Sequence, residues 1–276
     1  MSPCLQVGRV VSRGDGPPGQ QSIARNEGGK MRIVAVANRK GGVGKTTTVV
    51  NLGHGLALKG KNTLLVDVDP QGHVATALGM NPEGGLFELL VGRARLHNVT
   101  RQARERLWVV PGNARTATAQ TVLVAERAAD ETLTRAIRGE VNGRLDYVLV
   151  DTAPSVGRLQ EMALWSADLV IIPTAVDYLS STGIKALVGE LRELKVGGWS
   201  GRLFGILPTF HDDQTRESRA NYAELTQVFG DLVLPPVHRA TVLRECAAMG
   251  ATVFEAAPTS RAAEEYAALV WRVLDE

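Results

Sequence analysis

Short runs of apolar residues alternate with longer stretches of helical periodicity along this chain of 276 residues. The apolar runs predict strands at 32–38, 62–68, 107–111, 145–151, 168–173 and 202–207, and a short one near 231–234. The helical patterns predict helices at 45–59, 115–138, 157–166, 181–195, 213–229, 240–249 and 259–274. Apolar strands separated by helices are typical of a parallel sheet covered on both faces. The expected fold class is therefore α/β, with a mostly parallel twisted sheet and helices on both faces.

A glycine-rich turn follows the first predicted strand and reads Arg39-Lys-Gly-Gly-Val-Gly-Lys-Thr-Thr-Thr48. Glycines let successive backbone N–H groups converge on a phosphate, and the helix that follows adds its positive end. The lysine supplies charge for the β- and γ-phosphates, and the next threonine offers a hydroxyl to Mg²⁺. The sequence thus predicts a P-loop NTPase whose nucleotide is held by Gly41, Gly42, Val43, Gly44, Lys45, Thr46 and Thr47.

This turn departs from the usual P-loop pattern, because Arg39 takes the first glycine position and a second lysine, Lys40, stands beside it. In this respect the chain resembles the ParA/MinD family of deviant P-loop ATPases. The stretch Leu64–Gly72 is similar to the family's second motif, and Asp146–Ser155 is similar to its Walker B strand and the following turn. The Asp-x-Asp-Pro-Gln-Gly form of the second motif is that of the ParA branch.

The resemblance implies a slow, Mg²⁺-dependent ATP hydrolase that a partner protein stimulates. Its expected catalytic residues are Lys40, which reaches the nucleotide of the opposite subunit in an ATP-bound homodimer, Lys45, and Asp69, which orients the attacking water. The expected metal site consists of Thr46, Asp67 and Asp151. Base recognition is expected at the loops after the last strands, with Pro208, Thr209 and Pro236 as the candidates.

The resemblance also implies non-specific binding of the dimer to double-stranded DNA, and nucleoid association in the cytoplasm. Outside the first 30 residues the charges balance, so any DNA contact needs a local patch. The candidate residues are Arg216, Arg219, Arg239 and Arg244. A basic stretch from Arg93 to Arg106 is a further candidate, and for each cluster a solvated surface is the competing interpretation.

Three functions fit these features. The first is segregation of chromosome or plasmid DNA with a ParB-like centromere-binding or adaptor protein. The second is positioning of protein cargo on the nucleoid by an ATPase of the same fold. The third is a MinD-like membrane-cycling regulator. The last helix disfavours it, because the face opposite its apolar stripe carries Glu264, Glu265, Asp275 and Glu276, whereas a membrane-surface helix carries lysine and arginine there. No membrane partner is therefore expected.

The first 30 residues differ in composition from the rest of the chain. They contain Gly14-Asp-Gly-Pro-Pro-Gly19 and little apolar periodicity, which predicts a disordered extension over 1–30. Met31 stands directly before the first strand, where chains of this family commonly begin, so we consider it an alternative start. Residues 31–276 are expected to form one ATPase domain.

Overall fold

A computed structural model describes residues 30–139, 144–176 and 181–276. For residues 181 and 182 it describes the backbone alone. The predicted disorder of residues 1–30 lies outside the described residues, apart from Lys30. The described residues form a seven-stranded sheet of order β3-β4-β2-β5-β1-β6-β7. The strands are β1 (Arg32–Val36), β2 (Thr63–Asp67), β3 (Arg101–Arg104), β4 (Leu107–Val110), β5 (Tyr147–Asp151), β6 (Leu169–Ala175) and β7 (Arg202–Thr209).

The strand pairs are parallel, except that the edge strand β3 runs antiparallel to β4. In the register of the central strands, Val36 of β1 and Asp67 of β2 both pair with Asp151 of β5. The strands β2, β5 and β1 therefore end at the same level. Two carboxylates and the start of the glycine-rich turn meet at this edge, where open α/β sheets bind their ligands.

Helices cover both faces of the sheet, as the alternating pattern predicted. They are α1 (Lys45–Leu58), α2 (His73–Ala77), α3 (Leu86–Leu90), α4 (Leu96–Val99), α5 (Arg115–Ala125), α6 (Thr132–Arg138), α7 (Arg158–Ser166), α8 (Ser181–Val196), α9 (Arg216–Phe229), α10 (Thr241–Ala248), α11 (Val253–Ala256) and α12 (Arg261–Leu274).

Helix α1 lies tightly between the sheet and α12. A Cβ atom at Gly53 would approach the Leu65 side chain to 2.5 Å, and one at Gly55 would approach the Val270 side chain to 2.5 Å. Glycine at these two positions lets the helix sit close to both neighbours. The apolar face of α12 is buried in this core, with Tyr266 1% exposed. No helix among the described residues is long and apolar enough to cross a membrane.

The predicted secondary structure was wrong in several places, and it also lacked the short helices α2, α3, α4 and α11. The single helix expected at 115–138 is two helices, because the chain turns after α5 at Arg127, whose φ is +50°. The strand expected near 231–234 is a 3₁₀ turn, Gly230–Leu232, followed by one bridge from Val233 to Ile206. The antiparallel strand β3 was not predicted, since its sequence is polar and its residues are only partly buried.

Candidate functional site

The glycine-rich turn leaves β1 through Asn38, which fixes its first residues. The Asn38 side chain donates to the carbonyl oxygen of Pro173 at 2.6 Å and accepts the backbone N–H of Lys40 at 2.9 Å. Gly42 and Gly44 have φ values of +71° and +86°, in the left-handed region that favours glycine. The turn therefore reverses direction within a few residues and leads directly into α1.

Lys45 is the first residue of α1, and its ammonium group is held inside the turn. The side chain is 7% exposed, and Nζ donates to the carbonyl oxygen of Lys40 at 3.0 Å. Burial lowers the pKa of Lys45, while the nearby Asp151 and Asp69 carboxylates act in the opposite direction. A cation enclosed in this way favours a bound polyanion, because a phosphate group would replace the lost hydration.

Thr46 and Asp151 form the centre of a candidate metal site. The Thr46 hydroxyl donates to Asp151 Oδ2 at 2.6 Å. The other oxygen, Asp151 Oδ1, is buried and has no hydrogen-bond partner among the described residues. Burial raises the pKa of Asp151 to about 7, partly offset by the Thr46 hydrogen bond. A buried carboxylate with an unpaired oxygen beside a hydroxyl is a donor set that suits Mg²⁺.

Asp67 stands beside Asp151 on the neighbouring strand and is fully buried. Both of its carboxylate oxygens accept backbone hydrogen bonds, from the N–H of Asp69 at 3.0 Å and of Val74 at 3.1 Å. Burial, and then the Asp151 carboxylate, raise the pKa of Asp67 well above its ordinary value. Asp67 thus holds the two ends of the loop from Val68 to Val74, a contact that the sequence motif did not reveal.

The loop that Asp67 holds carries Asp69 to the rim of the site. Asp69 Oδ1 accepts the backbone N–H of Gln71 at 2.9 Å, and the residue lines the cavity that opens between the glycine-rich turn and the segments after β7. Gly112 packs behind the loop, where a Cβ atom would lie 2.5 Å from the Asp69 carbonyl oxygen and 2.8 Å from that of Asp67. The position of Asp69 is therefore fixed from both sides.

A cavity of about 530 Å³ opens between the glycine-rich turn and the segments after β7. On one side it is lined by residues of the glycine-rich turn and the first turn of α1, namely Gly41, Gly42, Gly44, Lys45, Thr46 and Thr47. Its other wall includes Thr209, Phe210, Val237, His238 and Tyr266. The volume and the lining suit a nucleotide, with phosphates at the turn and the base at the opposite wall.

The residues that line the cavity opposite the glycine-rich turn are only partly those that were expected to contact the base. Pro208 and Pro236 are not among the residues that line the cavity. The Pro208 carbonyl oxygen accepts the N–H of Val237 at 2.8 Å, and the Thr209 hydroxyl donates to the Val43 carbonyl oxygen at 2.9 Å. These two bonds join the end of β7 to the segment at Val237 and to the glycine-rich turn at Val43. Phe210 was not among the predicted residues, although it lies in the loop beyond the predicted strand 202–207, where base contacts were expected.

The candidate DNA-binding arginines fall into two groups. Arg239 and Arg244 line a smaller cavity of about 250 Å³ together with Lys40 and Val43, at the mouth of the glycine-rich turn. Arg216 and Arg219 lie exposed in the first turns of α9. Two of the four candidates are thus close to the nucleotide site.

The basic stretch from Arg93 to Arg106 contributes less to the surface charge than its sequence indicates. The Arg104 guanidinium pairs with Glu255 at 2.5 Å and donates to the carbonyl oxygens of Leu78 and Gly250. Arg104 therefore ties β3 to the segments around α11, which is a structural role.

A mostly parallel sheet, a glycine-rich turn between β1 and α1, and carboxylates at the adjacent strand ends define a P-loop nucleoside triphosphatase. A family model described as an AAA domain matches residues 31–197. The chain is 36% identical to the chromosome-partitioning ATPase Soj of Thermus thermophilus, over 89% of this chain and 96% of that protein. It is 35% identical to the sporulation initiation inhibitor protein Soj of Bacillus subtilis, over 85% of this chain and 95% of that protein.

The fold is shared with a solved structure, cobyrinic acid a,c-diamide synthase from Mycobacterium smegmatis with bound ATP analog and magnesium. The TM-score is 0.77 and the identity 29%, over 89% of this chain and 95% of that chain. The chain belongs to the ParA/MinD family of P-loop ATPases, which confirms the resemblance drawn from its motifs.

Proposed function

We propose that this ATPase dimerises on ATP, binds double-stranded DNA without sequence preference, and drives the segregation of chromosome or plasmid DNA with a ParB-like partner. The observation that carries the proposal is the placement of Lys40. This residue is absent from the lining of the main cavity but lines the smaller cavity at the mouth of the turn. A lysine placed there suits the nucleotide of a second subunit better than that of its own.

Within one subunit, different residues have different roles in hydrolysis. Lys45 neutralises the β- and γ-phosphates, and the backbone of Gly41–Gly44 donates to them. Thr46 and Asp151 would hold Mg²⁺, which would supply charge neutralisation on the phosphate oxygens. Asp67 positions the loop that carries Asp69, and Asp69 accepts a hydrogen bond from the attacking water. Phe210 packs against the base.

Dimerisation depends on nucleotide because Lys40 contacts the triphosphate that is bound to the opposite subunit. A ligand shifts an equilibrium only by its differential affinity for the two states. If ATP but not ADP contacts Lys40 of the opposite subunit, ATP favours the dimer and hydrolysis releases the subunits. Pairing also doubles the number of DNA-facing arginines, so that both halves of the patch bind one duplex and add avidity to counterion release.

The relatives named as partition proteins support the assignment to DNA segregation. The near-balanced charge of residues 31–276 supports a dimer as the DNA-binding species, since one subunit offers few phosphate contacts. Such a protein would associate with the nucleoid only in its ATP state.

The deciding experiment measures assembly and DNA binding on one protein. An Asp69→Ala variant should bind ATP without turning it over, and it should sediment as a dimer with ATP and as a monomer with ADP. The dimer should bind DNA with an affinity in roughly the micromolar range, which falls steeply as salt is raised. Adding Lys40→Ala should return the protein to monomer and abolish DNA binding.

Arg216→Glu is the matched variant for the DNA contact. Arg216 lies on α9 and does not line either cavity, whereas Arg239 and Arg244 stand at the mouth of the turn. We therefore expect Arg216→Glu to weaken DNA binding while nucleotide affinity is retained. Dimerisation of the Lys40→Ala double variant, or equal DNA affinity with ATP and ADP, would contradict the proposal.

A further inference from the structure

Two histidines and an aspartate meet just beyond the end of β7. His211 Nε2 lies 3.0 Å from Asp213 Oδ1, and His238 Nε2 lies 2.9 Å from Asp213 Oδ2. The three ligand atoms lie within 4.8 Å of one another. Backbone bonds hold the two segments side by side, since the His211 N–H donates to the Val237 carbonyl and the Arg239 N–H donates to the His211 carbonyl. We call these three residues the His–Asp–His cluster.

Both imidazoles are oriented through their other nitrogen. His211 Nδ1 lies 3.0 Å from the Ser218 hydroxyl, and His238 Nδ1 lies 2.5 Å from Glu265 Oε1. The second contact is a carboxylate on the far side of an imidazole, which is the arrangement that fixes metal-binding histidines in proteins. The two Nε2 atoms are left to converge on the Asp213 carboxylate.

A cationic group already occupies the cluster. Arg261 Nη2 lies 3.1 Å from Asp213 Oδ2 and 2.6 Å from His238 Nε2. The Asp213 carboxylate is therefore already paired with a guanidinium. The Arg261 side chain is 59% exposed and extends from the first turn of α12. It can therefore swing into solvent when another cation replaces it.

We infer that the His–Asp–His cluster binds a divalent transition-metal ion of the zinc type, in competition with the Arg261 guanidinium. Two imidazoles and one carboxylate suit zinc, cobalt or nickel, whereas Mg²⁺ prefers oxygen ligands alone. Ligand atoms at ~2.0–2.1 Å from a tetrahedral zinc ion are about 3.3 Å apart, so the cluster needs only a small closure. Water would complete the coordination.

This site is separate from the candidate magnesium site at Thr46 and Asp151, and it adjoins the nucleotide cavity through His238. His238 and Phe210 both belong to the cavity wall that faces the base. An ion bound to His211 and His238 would tie the exit of β7 to the segment that precedes α10. Nucleotide affinity would then respond to a second metal, because the wall would be ordered before the base arrives.

The test is a metal titration of the full, untagged chain after treatment with a chelator, with neither nucleotide nor Mg²⁺ present. Co²⁺ is added first, and its visible d–d absorption reports tetrahedral coordination. Zn²⁺ affinity is then measured by competition with a chromophoric chelator. We expect one equivalent of each ion to bind. Since no nucleotide is used, the result is independent of whether the chain segregates DNA.

Four variants make the outcome decisive. Asp213→Asn and His238→Ala should each weaken Zn²⁺ binding at least tenfold. Arg261→Gln should tighten it, because the competing cation is gone. His97→Ala removes an exposed histidine elsewhere and should leave it unchanged. Thermal unfolding tests whether each variant is folded. Asp213→Asn should fold normally, because Asp213 is exposed. Equal affinity of the wild type and Asp213→Asn would overturn the inference, as would the absence of stoichiometric binding.

Discussion

The substitution Asp151→Asn should stabilise the ligand-free protein at neutral pH while it weakens Mg²⁺-dependent nucleotide binding. Asp151 is 1% exposed, and burial raises its pKa from an ordinary 3.8 to about 7. The charged form is therefore disfavoured in the folded state. Asparagine has almost the same shape, can still accept the Thr46 hydroxyl, and carries no charge.

The magnitude follows from the pKa difference. At about 1.36 kcal/mol per unit, the ionised carboxylate destabilises the fold by ~4 kcal/mol above pH 7. The asparagine amide would leave a buried N–H₂ group without a partner, which costs about 1–3 kcal/mol. The expected net gain for Asp151→Asn is therefore on the order of 1–3 kcal/mol at pH 8.

The sign of the pH dependence is the stronger test. Between pH 3.8 and about 7 the folded wild type binds a proton at Asp151 that the unfolded chain has released. Because the folded state binds more protons in this window, this group's contribution to stability falls as the pH rises. The advantage of Asp151→Asn should thus be present at pH 8 and shrink towards pH 4.

Urea unfolding without nucleotide or Mg²⁺, at pH 8 and pH 5, measures both quantities. Asp69→Asn is the matched control, since Asp69 lies at the same edge of the sheet but on the rim of the cavity. Its stability should differ little from that of the wild type. If Asp151→Asn were less stable than the wild type at pH 8, or if its advantage were the same at both pH values, the account of Asp151 as a destabilising buried charge would be refuted.

Three further substitutions probe other parts of the site. Lys45→Ala should abolish binding of a fluorescent nucleotide, because it removes the main cation on the phosphates; binding at wild-type affinity would contradict this. Gly112→Ala should slow hydrolysis at least tenfold and destabilise the fold by about 1–3 kcal/mol, since the added Cβ would displace the backbone around Asp69. Gly189→Ala is the control, because a Cβ at Gly189 would meet open space. Arg104→Ala should lower the free energy of unfolding by about 1.5–3 kcal/mol without weakening DNA binding; weaker DNA binding by the folded variant would return Arg104 to the DNA candidates.

The phosphate side of the site could be predicted from sequence because its residues are local or share one strand edge. Gly42, Gly44 and Lys45 lie within four positions of one another, so a single motif describes them. Asp67 and Asp151 end two neighbouring strands, and the carboxyl ends of parallel strands meet at the same edge.

The base side could not be predicted in the same way. Phe210 and His238 become neighbours only because the segment after Leu234 returns alongside β7, a contact that no periodic pattern encodes. The ion pair of Arg104 could not be predicted either, since its partner Glu255 lies 151 residues away in the chain. A run of arginines therefore gives no measure of the positive surface until the long-range ion pairs are known.

The buried carboxylate pair links the metal site to the loop that carries Asp69. Asp67 and Asp151 each raise the energy of the other's charged form, so without a cation their charges repel in a buried space. A divalent ion at Thr46 and Asp151 would offset this repulsion and favour ionised Asp67. An ionised acceptor strengthens the bonds from the backbone N–H groups of Asp69 and Val74. The loop that carries Asp69 would thereby be held more firmly when the metal and its nucleotide are bound, which would make hydrolysis depend on a correctly filled site.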